Sequence, residues 1–282
     1  MRIAIASGKG GTGKTTVATN LAWTIASLGE KATYIDCDVE EPNGHIFLKP
    51  VIDATTKATM FYPVVDMDTC TSCGTCAEIC QYKAIILVGE KTLVFPEMCH
   101  SCGGCILVCP VDAITYSDRG MGIIETGTSN GVGFIHGKLD IGQVMSPPLI
   151  RQVKKRISPE GVAILDAPPG TSCPVIETVK DADYVLLVTE PTPFGLNDFK
   201  LTVEVLHKLA MPFGVFINRS DIGTQDTLKY CEMRRIPVLS SLPDDRRIAE
   251  AYSNGILAAE TFPEIRELFT TLYSELKRKV KL

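Results

Sequence analysis

The stretch "IAIASGKGGTGKTT", residues 3–16, decides the reading of this chain. Ile3, Ala4, Ile5 and Ala6 have the pattern of a buried strand, and Gly8 to Thr15 after them fit G-x-x-x-x-G-K-T ahead of a helical pattern. Gly8, Gly10, Gly11 and Gly13, with Thr12 among them, let successive backbone N–H groups close around a phosphate, and the helix N-terminus adds its dipole. Lys14 is expected to meet the β- and γ-phosphates of ATP, and the β-phosphate of ADP, as a mobile point charge. The Thr15 hydroxyl is expected to ligate Mg²⁺, and Thr16 continues the phosphate-binding turn. Lys9 is one lysine more than such a loop needs.

Composition bounds what the loop can belong to. The chain has 282 residues, 45% of them hydrophobic, enough for about two domains with a real core. A net charge of -5 argues against a nucleic-acid partner, because phosphate neutralisation needs a basic face. No run of about 18 apolar residues occurs, so no membrane span is expected, and the start "MRIAIASGKGG" has no leader-like apolar region. The expected location is the cytoplasm, where eleven cysteines point to metal or redox chemistry rather than disulfides.

Short apolar runs at Ile3 to Ser7, Ala32 to Cys37, Val162 to Asp166, Tyr184 to Thr189, Phe213 to Asn218 and Val238 to Leu242 alternate with helical stretches. Those stretches include Thr15 to Leu28, Asn197 to Leu209 and Arg246 to Asn254. The alternation predicts an α/β fold, a mostly parallel sheet with helices on both faces. Ile265, Leu268, Phe269, Leu272 and Leu276 recur at helical spacing before "KRKVKL" and predict a terminal helix packed on that sheet. Residues 60–117 break the rhythm: "CTSCGTCAEICQYKAI" at 70 recurs as "CHSCGGCILVCPVDAI" at 99. Flanking runs "YPVV" at 62 and "AITY" at 113 are placed to pair and bring the ends of this unit together. The expected organisation is a host domain of residues 1–59 and 118–282 with a small α+β insertion at 60–117.

Two acidic segments complete the nucleotide site. "YIDCDVEEPN" sets Asp36 and Asp38 at one strand end, and "VAILDAPPGT" sets Asp166 at another, where ligands of parallel sheets bind. Asp166 is expected to hold Mg²⁺ through water, Gly170 to offer its N–H to the γ-phosphate, and Asp38 to orient the attacking water. Asp36 is read equally as a structural carboxylate. In this order "GKGGTGKTT", "DCDVEEPN" and "DAPPGT" resemble the deviant Walker A ATPases, the MinD, ParA and Mrp group related to the nitrogenase iron protein. The resemblance covers the host domain. It implies ATP hydrolysis by a homodimer formed in the ATP state, with Lys9 reaching across the interface to the partner's phosphates. It also implies adenine contacts from Asn218, Pro243 and Asp244.

Cys70, Cys73, Cys76 and Cys80, then Cys99, Cys102, Cys105 and Cys109, fit C-x₂-C-x₂-C-x₃-C twice. Three thiolates of such a run converge on one 4Fe-4S cluster while the fourth reaches the other. The expected sets are therefore crossed: Cys70, Cys73, Cys76 and Cys109 for one cluster, and Cys99, Cys102, Cys105 and Cys80 for the second. The segment resembles bacterial two-cluster ferredoxins, departing at Gln81, where a proline usually follows the fourth cysteine. His100 reads as a surface residue, and Cys37 and Cys231 as small buried hydrophobes. Cys173 sits at the offset from Asp166 of a cluster ligand in the nitrogenase iron protein. The favoured output is ATP-gated electron transfer to a redox partner; the alternative is delivery of clusters to client proteins, as in the Mrp branch, and a positioning ATPase fits less well.

Overall fold

The computed structural model describes residues 1–280, so Lys281 and Leu282, the last two residues of the basic end, lie outside the described residues. In chain order the strands are β1 (Arg2–Ala6), β2 (Ala32–Asp36), β3 (Val51–Val65), β4 (Ile85–Val88), β5 (Lys91–Val94) and β6 (Ile114–Ser129), followed by β7 (Val132–Leu139), β8 (Val162–Asp166), β9 (Tyr184–Thr189), β10 (Phe213–Asn218) and β11 (Val238–Leu242). Among the described residues they form a nine-stranded sheet of order β11-β10-β9-β1-β8-β2-β7-β6-β3 and a separate antiparallel pair, β4 with β5.

From β11 to β7 every pairing is parallel. β8 and β9 are buried at every position, which requires cover on both faces and explains why their sequences are continuous apolar runs. Along β1, Ile3 and Ile5 face the core that contains the helix Lys14–Ser27 and the terminal helix Pro263–Val280, and Ala4 and Ala6 face the other side. The terminal helix buries Ile265, Phe269, Leu272, Tyr273 and Leu276, so its apolar stripe belongs to the core. No helix among the described residues is long and apolar enough to cross a membrane.

β1 lies between β8 and β9, and the chain leaves it in one direction toward β2 while β9, β10 and β11 extend in the other. The loop after β1 therefore sits at the topological switch point, where an open parallel sheet offers a crevice.

The end of the sheet beyond β7 differs from the expectation. Asn130 and Gly131, both with positive φ (47° and 84°), close a two-residue hairpin between β6 and β7. The expected boundaries at 59 and 118 fall inside the long strands β3 and β6. Contacts divide the chain into one compact unit of Met1–Thr56, Ile124–Lys138 and Ile150–Leu282, and a second of Lys57–Ile123 and Leu139–Leu149.

Within the second unit the two flanking runs are joined: the Asp66 N–H donates to the Ala113 carbonyl at 2.8 Å. The sequence repeat is also a backbone repeat. Ser72 and Ser101, Gly74 and Gly103, and Lys83 and Asp112 all have φ between +52° and +81°, at matching places in the two halves. Gly74 and Gly103 precede the short helices Thr75–Ile79 and Gly104–Leu107, which carry Cys76 and Cys105 inward to a small core with Ile85 and Ile114.

Candidate functional site

The first unit holds a cavity of about 430 Å³ at the switch point. Gly10, Gly11, Gly13, Lys14, Thr15 and Thr16 line it on the loop side; Asp38, Asn218, Pro243 and Asp244 come from the ends of β2, β10 and β11. Gly13 has φ +91°, and a Cβ there would lie 2.4 Å from Asn218 Nδ2. Asn218 in turn donates to the Thr12 carbonyl at 2.8 Å, so this amide clamps the loop as well as lining the cavity. Gly8 does not line the cavity: a Cβ on it would meet the Asp198 carbonyl oxygen at 2.3 Å, so it is a glycine of close packing. The Gly170 N–H, expected to face the γ-phosphate, donates to the Ser7 carbonyl at 3.0 Å, and Pro169 lines the cavity in its place.

Lys14 is buried at the helix start, and burial lowers its pKa while Asp166, Asp38 and Asp36 pull it back up. The carboxylates carry the opposite burden. Burial and the Asp166 charge raise Asp36 to about 8, and the same two causes raise Asp38 to about 6. Asp166 is raised by burial against the pull of Lys14, Thr15 and Tyr34.

Asp36 accepts from three backbone N–H groups, those of Asp38 (3.1 Å), Asn43 (3.1 Å) and Gly44 (3.0 Å). It shapes the loop that presents Asp38, which favours the structural role of the two read for it. The buried Tyr34 hydroxyl donates to Asp166 Oδ2 at 2.9 Å and lies 3.3 Å from Asp36 Oδ2. Gly44 must be glycine, since a Cβ there would sit 2.3 Å from the Tyr34 ring. Asp166 Oδ1 is buried and has no hydrogen-bond partner, while the Thr15 side chain faces the same carboxylate. An orphaned anionic oxygen beside a hydroxyl fits a hydrated divalent cation.

Lys9 points elsewhere: its ammonium pairs with Glu190, just past β9. Arg219 also reaches Glu190 (3.5 Å) and touches Asp244 (3.5 Å). Glu190 and Arg219 were not read from the sequence, although each directly follows a strand, at the ligand-binding end of the sheet.

In the second unit the eight repeat cysteines fall into two groups. One small cavity is lined by Cys70, Cys73, Cys76 and Cys109, and another of about 260 Å³ by Cys80, Cys99, Cys102 and Cys105. Each group thus combines three thiols of one half with the fourth of the other. Four thiols around a closed space fit an iron-sulfur cube. Among the described residues no three His, Cys, Asp or Glu side chains are close enough to clasp a single ion, a tighter geometry than a four-iron cube requires. His100 stacks on Tyr82 beside the second group, more enclosed than a plain surface residue. Cys37 and Cys231 are buried and their thiols pushed up by burial, as inert small hydrophobes should be; Cys173 is exposed.

Residues 3–258 match the family described as the CobQ/CobB/MinD/ParA nucleotide binding domain, and the chain belongs to that family. Among its relatives, an uncharacterised protein of Methanocaldococcus jannaschii is 33% identical over 283 residues, 98% of this chain and 96% of that protein. An iron-sulfur cluster carrier protein of Pyrococcus furiosus is 24% identical over 299 residues, 98% of this chain and 88% of that protein. The fold is also that of the cell division ATPase MinD of Pyrococcus furiosus, with a TM-score of 0.62 and 22% identity over 98% of both chains.

Proposed function

We propose that this protein is a Mg²⁺-dependent ATPase that couples its nucleotide state to one-electron transfer through two 4Fe-4S clusters in an inserted ferredoxin-like domain. The observation that carries the reading is the pairing of a phosphate-loop cavity with two crossed sets of four thiols in one chain. Lys14 and the loop N–H groups bind the phosphates, Thr15 and Asp166 hold Mg²⁺, and Asp38 turns the attacking water toward the γ-phosphate. Pro243, Asp244 and the free carbonyl oxygen of Asn218 face the base. In a homodimer closed on ATP, Lys9 leaves Glu190 and meets the partner's phosphates. When bound, each cluster takes up and releases one electron; the chain supplies the thiolates and their surroundings.

Anaerobic purification with iron and sulfide analysis, followed by redox titration without nucleotide, with ADP and with ATP, tests this. Nucleotide-dependent midpoint potentials are expected, and by linkage reduction must then alter ATP affinity by the same factor. Identical potentials in all three states would sink the coupling. The relatives named iron-sulfur cluster carrier proteins favour a second reading, delivery of clusters to client proteins. An apo-acceptor separates the two: an electron carrier keeps its iron in the acceptor's presence, and a delivery factor loses it.

A further inference from the structure

Arg119, on β6, is a cation without an anion. Its Nη2 lies 3.3 Å from Met60 Sδ, its Nε is buried with no hydrogen-bond partner, and among the described residues it forms no ion pair. Arg119 is half-buried overall, and leaving its buried Nε–H without an acceptor costs free energy that a nearby anion would recover. The surroundings point to where it belongs. Phe61, the residue after Met60, accepts from Ser101 Oγ at 2.5 Å and lies 3.9 Å from Cys99 Sγ, which ties the Arg119 neighbourhood to the loop carrying Cys99.

The pseudo-symmetry is broken at this point. In the first half, Ser72 donates to the carbonyl of Glu90 at 2.6 Å, and the side chain beside Cys70 is the neutral Thr92, with Oγ1 3.7 Å from the sulfur. The residue at the place of Arg119 in the first half is Glu90 itself.

We propose that Arg119 is the counter-charge of an iron-sulfur cluster held by Cys80, Cys99, Cys102 and Cys105, and that it keeps that cluster's midpoint potential higher than the same thiolates would without it. The inference rests on the cluster reading above. One electron from an external donor makes the site more negative by one charge, with no proton taken up, and a fixed neighbouring cation stabilises the reduced state more than the oxidised one.

The test is a redox titration, followed by electron paramagnetic resonance, of the anaerobically purified full chain and its Arg119→Gln and Arg119→Lys variants. Cys102→Ala identifies the reduction step belonging to this site. Arg119→Gln is expected to shift that step at least tenfold toward the oxidised form, about 59 mV for one electron, and to leave the other step in place. Arg119→Lys is expected to recover most of the shift. Loss of this cluster in Arg119→Gln with retention in Arg119→Lys reports the same dependence on charge. Unmoved potentials, an equal shift of both steps, or cluster loss in both variants would overturn the proposal. A wild-type chain without iron and sulfide would overturn the cluster reading itself, whereas clusters with unmoved potentials would remove only the role of Arg119.

Discussion

Tyr34→Phe isolates the hydroxyl that joins the two acidic strand ends. The ring stays: Phe keeps the stacking on Phe134, at 5.9 Å between centroids, and leaves a gap only the size of one oxygen. What is lost is the 2.9 Å donation to Asp166 Oδ2 and the longer 3.3 Å approach to Asp36 Oδ2. Asp166 is fully enclosed and its Oδ1 already lacks a partner, so Oδ2 loses its hydrogen bond where no water replaces it. A hydrogen bond to a charged group contributes about 1.5–3 kcal/mol, and the 2.9 Å contact is counted as one such bond. The nucleotide-free protein should therefore lose about 1.5–3 kcal/mol in urea unfolding followed by circular dichroism. At about 2–4 °C per kcal/mol, its melting temperature should fall by roughly 3–12 °C. Magnesium should restore part of the loss by giving Asp166 a cation in place of the hydroxyl. A variant within about 0.5 kcal/mol of wild type would refute the reasoning, since the hydroxyl would then not support the carboxylates.

Asp36 makes stability fall with pH: its folded pKa is raised from 3.8 to about 8, so between those values the folded state keeps a proton that the unfolded chain has released. Asp36→Asn should flatten the pH dependence of unfolding across that window, whatever constant cost it adds, and an unchanged slope would place the proton elsewhere. Lys9→Ala should still bind ATP but fail to dimerise in sedimentation with a non-hydrolysable analogue, whereas Glu190→Gln, which frees Lys9, should dimerise at lower protein concentration. If Lys9→Ala dimerises normally, the lysine serves only its own loop. Cys109→Ala should destroy the cluster expected at Cys70, Cys73 and Cys76, distant in sequence, and spare the other; loss of the nearer one alone would refute the crossed assignment.

The central parallel strands were legible because buried strands write themselves as apolar runs: Val162–Asp166, Tyr184–Thr189 and Phe213–Asn218 match the expectation at both ends, as does the more exposed Val238–Leu242. β3 was not, because "VIDATTKATMFYPVV" places seven exposed or half-buried residues first and carries threonines and charges typical of a solvated edge. Part of β6 hid for the same reason. At the site, the loop and its acids were legible from motif spacing. Glu190 was not, since one acid after a strand is common and only its approach to Lys9, distant in sequence, gives it meaning. Arg119 had no motif at all; its interest lies in a missing partner, which only three-dimensional placement reveals.

The charges around the nucleotide cavity form two separate groups. Lys14 faces Asp36, Asp38 and Asp166, one cation against three acids; burial relieves the excess of negative charge by raising the acids, while the acids hold Lys14 up against the burial that lowers it. Lys9 and Arg219 instead share Glu190, which is 8% exposed. A bare triphosphate would bring more negative charge to the first group, whereas Mg²⁺ brought with it would supply Asp166 Oδ1 with a partner and favour the ionised form of the acids. Mg-nucleotide affinity should accordingly rise with pH from about 6, where Asp38 titrates, toward about 8, where Asp36 does. The second group sets the terms for Lys9. Any anion that draws this lysine away must compete with a buried carboxylate, and the loss of one cation leaves Arg219 to hold Glu190 from the side of Asp244, which lines the cavity. Arg219 thereby makes departure of Lys9 less costly, because Glu190 is never left buried without a cation.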